Sequence, residues 1–252
     1  MKKLTHTKFL YMKAMTKKNN LWKKVPSKNV VTGVVAWENC LEIPEGIIDL
    51  MNQDVDNWIP SVTDEMIKQN DSYITVKNQN GPIRFNPEIE FTTDEAKTFF
   101  KQVQKNALDK IAEYCELYEE VSKEINWMEN WQYITYKPPK NMNYHSDNHT
   151  TRNPKTNQHY MNPYFRRITC LTYLNDDFRG GALDFRYFEH EPYKPPAGSV
   201  VIMPSSFVYS HATTPLLNGR KSAFLVSCAS HYDVDSLQES GDLVEVKKRE
   251  IV

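Results

Sequence analysis

A short segment with the pattern His-x-Asp holds the residues most able to do chemistry. His145 and Asp147 lie two positions apart in the run Tyr144-His145-Ser146-Asp147. Side chains at i and i+2 leave the same face of a β-strand, so this spacing predicts that an imidazole and a carboxylate converge on one point. A second histidine from a distant strand would complete a two-histidine, one-carboxylate face. That face suits non-haem iron(II), because three positions on the metal stay open.

Chain order indicates which histidine is the third ligand. A second His-x-Asp pair begins at His231, but no histidine follows it, whereas several follow His145. We select His211, which lies near the end of a β-like run and 64 residues after Asp147 (211 − 147). That separation leaves room for several strands, and the remaining histidines are interpreted as loop or surface residues. The sequence therefore predicts His145, Asp147 and His211 as ligands of one metal.

Short strands are predicted throughout the second half of the chain. Their pattern has period 2, and turn residues separate them, with Asn218-Gly219 the strongest tight-turn signal. Several short strands at near-regular spacing predict an antiparallel sandwich or barrel. The candidate strands are 130–136, 167–174, 182–188, 198–203, 206–212 and 221–229.

The first half of the chain is predicted to support that core. A β-like run covers 30–36, a helix is expected over 45–53, and the strongest helix signal covers 93–121. In this last helix one apolar stripe recurs every four residues, which indicates a face packed on a sheet. The stripe comprises Phe99, Val103, Ala107, Ile111 and Cys115. The predicted fold class is mainly β with helical support (α+β), built on a double-stranded β-helix, or cupin-like jelly roll.

Composition narrows the class of protein and of partner. The chain has 252 residues, 40% of them hydrophobic, and a net charge of −1, which predicts a packed domain and gives no reason for a nucleic-acid partner. Its four cysteines are far apart and include no CxxC pair, which argues against a zinc ribbon or a dense disulfide framework. No apolar run approaches the roughly 18–20 residues that cross a bilayer. We expect no membrane partner, no signal peptide and a cytoplasmic or other intracellular location.

Domain boundaries follow the charge pattern. Eight lysines lie within residues 1–24, and the first acidic residue is Glu38, which predicts a basic, partly disordered arm over 1–28 or, alternatively, an arm that docks on an acidic partner. One domain is expected over 29–240, with helical support over 45–125 and the jelly-roll core over about 129–230. Residues 241–252 form a charged tail. The pattern does not predict an oligomeric state.

Four motifs together resemble the prolyl 4-hydroxylase-like branch of the iron(II)- and 2-oxoglutarate-dependent dioxygenases. In chain order they are HSD, ITCLTYLNDDFRGGALDF, PPAGSVVIMP and SHATTPLLNGRKSAF, between about residues 130 and 228. The resemblance implies iron(II) held by His145, Asp147 and His211, with 2-oxoglutarate and O2 as cosubstrates and ascorbate as a reductant for the iron. It implies hydroxylation of a C–H bond with release of succinate and CO2, on a proline-containing peptide or protein.

The resemblance also implies a basic residue that pairs with the far carboxylate of 2-oxoglutarate. Arg220 and Lys221 are the two candidates, and the family pattern of proline, glycine and basic residue selects Lys221. Strand alternation agrees, since Lys221 would share a face with small groups and Arg220 with packing residues. Two tyrosines match cosubstrate-pocket positions of the family, Tyr136 and Tyr173; the alternative for each is a core aromatic.

Other readings stay open beside this one. The chain could be an oxygenase acting on a nucleic-acid base or a small metabolite, or a cupin-like protein that binds a metal or ligand without turnover. The polar stretch 148–166 follows the His-x-Asp motif directly and is a candidate lid, because loops of this length are usually functional or disordered.

Overall fold

A computed structural model describes residues 2–3, 27–63, 82–148, 151–152, 159–160 and 164–231. Nearly all of the predicted basic arm, the whole charged tail and most of the candidate lid lie outside these residues. The proposed domain limits and the lid therefore remain predictions.

The helices precede the strands of the core, as predicted, and they begin where capping residues allow. The long helix is capped by the Thr93 side chain, which accepts a hydrogen bond from the Ala96 N–H, and acidic residues occupy its first turn. The buried stripe predicted for this helix is confirmed. The helices are α1 Ile47–Trp58, α2 Pro87–Glu90, α3 Asp94–Leu117 and α4 Glu119–Glu124.

The described strands form one large antiparallel sheet of nine strands and a facing sheet of three, with two short ribbons beside them. The long strand β16 pairs with β10 along one edge and with β6 and β5 along the other. The strands are β1 Lys2–Lys3, β2 Ser27–Val31, β3 Val34–Trp37, β4 Ile83–Phe85, β5 Trp127–Met128, β6 Gln132–Tyr136, β7 Met142–His145, β8 Thr151–Arg152, β9 His159–Tyr160, β10 Tyr164–Tyr173, β11 Arg179–Gly180, β12 Leu183–Phe185, β13 Ser199–Pro204, β14 His211–Thr213, β15 Leu216–Asn218 and β16 Lys221–His231.

Two predicted strands needed correction. The run 30–36 is a hairpin, because the chain reverses at Thr32-Gly33 between β2 and β3. Gly33 has φ +83°, a conformation that favours glycine, and a Cβ there would lie 2.5 Å from the Tyr209 hydroxyl oxygen, so the Tyr209 side chain would have to shift. The run 206–212 begins as a 3-10 helix, Phe207–Tyr209, and becomes a strand only at His211.

The large sheet separates two apolar clusters. Its outer face packs on the helices through residues such as Tyr133, Cys170 and Phe224. Its inner face turns alternate residues, such as Ile134, Leu171 and Ala223, towards the three-stranded sheet β12–β14–β7. The fold is thus a double-stranded β-helix with helical support, as the sequence predicted, and a cavity lies between the two sheets.

Within the described residues, no helix is long and apolar enough to cross a membrane. All four cysteines are free thiols, in agreement with the absence of CxxC pairs.

Candidate metal centre

The two predicted histidine ligands lie on neighbouring strands of the three-stranded sheet. β7 ends at His145, β14 begins at His211, and the antiparallel register places these residues directly opposite each other. Their ring centroids are 4.5 Å apart. The sheet register therefore joins two residues that are 66 positions apart in the chain (211 − 145).

Asp147 reaches the same point from outside the strand, which corrects the alternation argument. β7 ends two residues before Asp147, and the chain bends there. The next residue is tied to the end of β13 by a hydrogen bond from Asn148 N–H to the Ser205 carbonyl at 2.9 Å. The convergence of His145 and Asp147 thus depends on this bend and not on a shared strand face.

The three side chains present their ligand atoms to one small space. Asp147 Oδ1 lies 3.4 Å from His145 Nε2, and Asp147 Oδ2 lies 3.9 Å from His211 Nε2. Among the described residues, this is the group whose ligand atoms all fall within 4.8 Å of one another. The residue types match the two-histidine, one-carboxylate set of non-haem iron sites.

Both imidazoles are oriented by main-chain carbonyls. His145 Nδ1 lies 2.8 Å from the Asn143 carbonyl oxygen, and His211 Nδ1 lies 3.0 Å from the Tyr209 carbonyl oxygen. A carbonyl oxygen only accepts, so each Nδ1 carries the proton and donates it. In the neutral ring each Nε2 lone pair then points at the shared space, which is the arrangement a metal requires.

The carboxylate supplies an independent test of fit for a cation. Asp147 Oδ2 is buried and has no hydrogen-bond donor among the described residues, and such an atom is costly without a charge partner. Burial alone would raise the pKa of Asp147, but contact with His145 and the charge of His211 hold it well below its ordinary value. The site thus keeps a negative charge facing two imidazole nitrogens, and a divalent metal fits it.

A partly buried ion pair holds the main chain at Asp147. Arg166 donates to both carboxylate oxygens of Glu129, at 2.6 and 2.8 Å, and a third N–H donates to the Asp147 carbonyl oxygen at 3.1 Å. A guanidinium can bridge a carboxylate and a carbonyl because its N–H groups have fixed directions. Sequence reasoning missed this pair, since its members are 37 residues apart and no local pattern joins them.

Lys221 extends into the same cavity from the first position of β16. Its side chain is 3% exposed, and its ammonium donates to the Gly181 carbonyl oxygen at 2.7 Å. The Nζ atom also lies 5.1 Å from the Tyr173 ring centre and 5.3 Å from that of Tyr136. Burial lowers the pKa of Lys221 to about 7, since a lone cation is costly away from water.

Arg220, the other basic candidate, points the opposite way. It donates to Thr135 Oγ1 at 2.9 Å and pairs with the Asp56 carboxylate at 2.8 Å. Asp56 belongs to helix α1, on the outer side of the large sheet, and Arg220 is not among the residues that line the metal cavity. The structure therefore brings Lys221, and not Arg220, to the predicted site.

Both predicted tyrosines line the cavity and are buried. The Tyr136 hydroxyl accepts a hydrogen bond from Thr213 Oγ1 at 3.5 Å, while the Tyr173 ring lies beside the Lys221 ammonium. Burial raises the pKa of each hydroxyl, so both remain neutral donors near pH 7. Their placement agrees with the prediction, and their role towards a cosubstrate stays a prediction.

Comparisons with known proteins agree with the site. Residues 131–226 match the family model described as the 2OG-Fe(II) oxygenase superfamily, where 2OG is 2-oxoglutarate. The three candidate ligands and Lys221 all fall within this segment. A search of curated proteins found no match.

Three solved structures resemble the chain at low sequence identity. The viral collagen prolyl hydroxylase of Paramecium Bursaria Chlorella virus-1, in its 2OG complex, is 17% identical with a TM-score of 0.48, covering 79% of this chain and 97% of its own. A Trichoplax adhaerens prolyl hydroxylase, in complex with a hypoxia inducible factor peptide fragment, is 16% identical with a TM-score of 0.49 and covers 79% and 84%. A Pseudomonas putida prolyl-4-hydroxylase is 11% identical with a TM-score of 0.47 and covers 79% and 94%.

The family match covers the strands that hold both histidines, the bend that holds the carboxylate, and the start of β16. The candidate site therefore lies within the part of the chain that is similar to the 2OG-Fe(II) oxygenase superfamily.

Proposed function

We propose that this protein is an iron(II)- and 2-oxoglutarate-dependent dioxygenase that hydroxylates a C–H bond and releases succinate and CO2. The observation that carries the proposal is one cavity lined by two different sets of groups. His145, Asp147 and His211 form a ligand set for iron, and Lys221 is a buried cation in the same cavity. The metal set alone would suit many reactions, whereas the added cation suits a cosubstrate with a second carboxylate.

The role of Lys221 follows from its burial. Lys221 is 3% exposed, and the strong acceptor of its ammonium among the described residues is one carbonyl oxygen, so this ammonium gains most from an anion. The far carboxylate of 2-oxoglutarate is such an anion, and the neutral hydroxyl of Tyr173 or Tyr136 could donate to it as well. Arg220 has no such role, because Asp56 already pairs with it.

The chain's own residues have three tasks in the reaction. His145, Asp147 and His211 leave one face of the metal open, Lys221 orients 2-oxoglutarate, and the apolar lining from Leu171, Met203 and Leu225 excludes water. Iron and 2-oxoglutarate, when bound, supply the oxidising chemistry with O2, and ascorbate serves as a reductant that keeps the iron ferrous. The Nδ1 hydrogen bonds to main-chain carbonyls keep both imidazoles in the ligating tautomer throughout.

The proposed substrate is a prolyl residue in a peptide or protein. The support is the motif resemblance of residues 130–228 to the prolyl 4-hydroxylase-like branch, which is an analogy and not a geometric argument. A screen for succinate release over proline-containing peptides, oligonucleotides and small metabolites tests it. Stimulation by the second or third group alone would contradict the prolyl assignment.

An anaerobic titration tests the activity class. Iron(II) and 2-oxoglutarate together should produce a visible charge-transfer band in the folded protein, since the keto acid chelates the metal. Neither component alone should produce it. Folded protein that binds iron(II) but never develops the band with 2-oxoglutarate would overturn the proposed function.

A further inference from the structure

A second cation reaches the metal cavity from outside the family segment. Arg84 is the central residue of strand β4, which precedes residues 131–226 and pairs with β6 in the large sheet. Its neighbours Ile83 and Phe85 are buried in the cluster that packs on the helices. Alternation therefore turns Arg84 to the inner face, where it lines the cavity together with the three candidate ligands.

The guanidinium of Arg84 has spare hydrogen-bonding capacity. One N–H of its Nη1 donates to the amide oxygen of Gln132, and within the described ranges no carboxylate pairs with it. A guanidinium carries five N–H donors, and the bond to Gln132 uses one of them within the part of the chain that the structure describes. Its charge is felt inside the cavity: burial raises the pKa of Tyr136, and the charge of Arg84 acts in the opposite direction.

Formal charges show what Arg84 adds to the loaded site. The charges of an iron(II) ion, the Asp147 carboxylate and the Lys221 ammonium sum to a net charge of two positive units. The two carboxylates of 2-oxoglutarate neutralise this charge. The guanidinium of Arg84 then remains as one uncompensated positive charge at the cavity. Placing a half-buried cation there without a counter-ion costs free energy, and an anion that enters with the substrate would recover it.

We propose that Arg84 is a specificity-determining residue that binds a carboxylate of the substrate next to the C–H bond that reacts. The inference rests on the proposed function, and it defines the substrate class more narrowly as one with an acidic group. A carboxylate fits better than a phosphate on two grounds. A carboxylate has a single negative charge, which matches the one uncompensated positive charge of Arg84, whereas a phosphate monoester has a charge of about −1.5 to −2 at pH 7. Its two oxygens also match the planar fork of a guanidinium.

Titration of the loaded protein with sodium acetate tests the inference without turnover. The protein is held under anaerobic conditions with iron(II) and 2-oxoglutarate, and acetate is added at constant ionic strength while the charge-transfer band and binding heat are recorded. Wild type should bind acetate, and Arg84→Gln should bind it roughly tenfold to a hundredfold more weakly, as expected for loss of a charge-assisted hydrogen bond. Arg84→Lys should show an intermediate affinity, because it keeps the charge and loses the fork.

An exposed arginine provides the matched control. Arg179 lies on β11, outside the residues that line the cavity, so Arg179→Gln should bind acetate as wild type does. Equal acetate affinity in wild type and Arg84→Gln, or no acetate binding by wild type, would overturn the inference. Tighter Arg84-dependent binding of inorganic phosphate than of acetate would contradict the choice of a carboxylate. If the charge-transfer band is present in these experiments, the proposed function stands even when the inference about Arg84 fails. If the band is absent, the proposed function itself is wrong.

Discussion

The two faces of the large sheet use the same strands for different purposes. On its outer face Phe224 stacks on Phe100 with ring centres 5.2 Å apart and meets Tyr133 at 5.1 Å, in a cluster that joins sheet and helices. On its inner face the adjacent residue, Ala223, lines the metal cavity. The large ring of Phe224 outside provides packing energy, and the small side chain of Ala223 inside leaves space. One strand therefore supplies stability and a site at alternate positions.

The basic pair at the start of β16 shows the same division. Arg220 binds Asp56 on the helix side, whereas Lys221 is enclosed in the cavity beside Tyr136 and Tyr173. Two residues of like charge thus have different surroundings because one position separates them. The difference implies that mutations on the inner face should change ligand binding and mutations on the outer face should change stability.

The largest effect is expected at the carboxylate ligand. Asp147→Ala removes one of the three candidate ligands and should weaken iron(II) binding by more than about a hundredfold. This loss is larger than the roughly tenfold to hundredfold loss expected when a residue that only supports a ligand is mutated. The charge-transfer band with 2-oxoglutarate should disappear. Asp184→Ala is the control, since Asp184 lies on β12 of the same sheet and does not line the cavity. A band of normal intensity in Asp147→Ala would show that the ligand assignment is wrong.

The next effect compares the two basic neighbours directly. Lys221→Met should lower 2-oxoglutarate affinity about tenfold to a hundredfold, because a charge-assisted hydrogen bond to a carboxylate is lost. Arg220→Met should change this affinity less than about threefold, although it breaks the pair with Asp56. Affinities are measured by anaerobic titration of the band. A larger loss in Arg220→Met than in Lys221→Met would reverse the assignment of the two faces.

A pH dependence should accompany the lysine. Burial lowers the pKa of Lys221 to about 7, and only its protonated form pairs with a carboxylate. Below that pKa the ammonium is already charged and affinity is flat, whereas above it binding must take up a proton. The 2-oxoglutarate affinity should therefore fall by up to about tenfold per pH unit above roughly pH 7. Lys221→Arg, which stays charged, should abolish this pH dependence. If the affinity of that variant still falls with pH at the same slope, the pH dependence arises from another group.

The smallest effect is expected on the outer face. Phe224→Leu keeps an apolar side chain but loses ring contacts, and should lower the free energy of unfolding by about 1 kcal/mol. The 2-oxoglutarate affinity of the folded protein should not change. Denaturant unfolding and the anaerobic titration measure the two quantities on the same sample. A loss of affinity comparable with that of Lys221→Met would show that the two faces are not independent.

The sequence by itself predicted most of the local elements and the residues of the candidate metal site. Period-2 patterning predicted the core strands, the four-residue stripe predicted helix α3, and residue type with chain order selected His145, Asp147 and His211, which the structure brings together. Strand alternation also assigned Lys221 and Arg220 to opposite faces. Such inferences succeed because backbone geometry repeats over a few residues, so side-chain direction can be read from the local pattern.

Only the tertiary structure decided how distant groups meet. The bend that brings Asp147 to the histidines is tied to Ser205, the carbonyl of Asp147 is held by Arg166 and Glu129, and Arg84 enters the cavity through pairing of β4 with β6. Each depends on the register of strands that are remote in the chain, and no local pattern encodes that register. The 3-10 helix before His211 was missed for a related reason, since its apolar run has the composition of a strand and packing decides between the two.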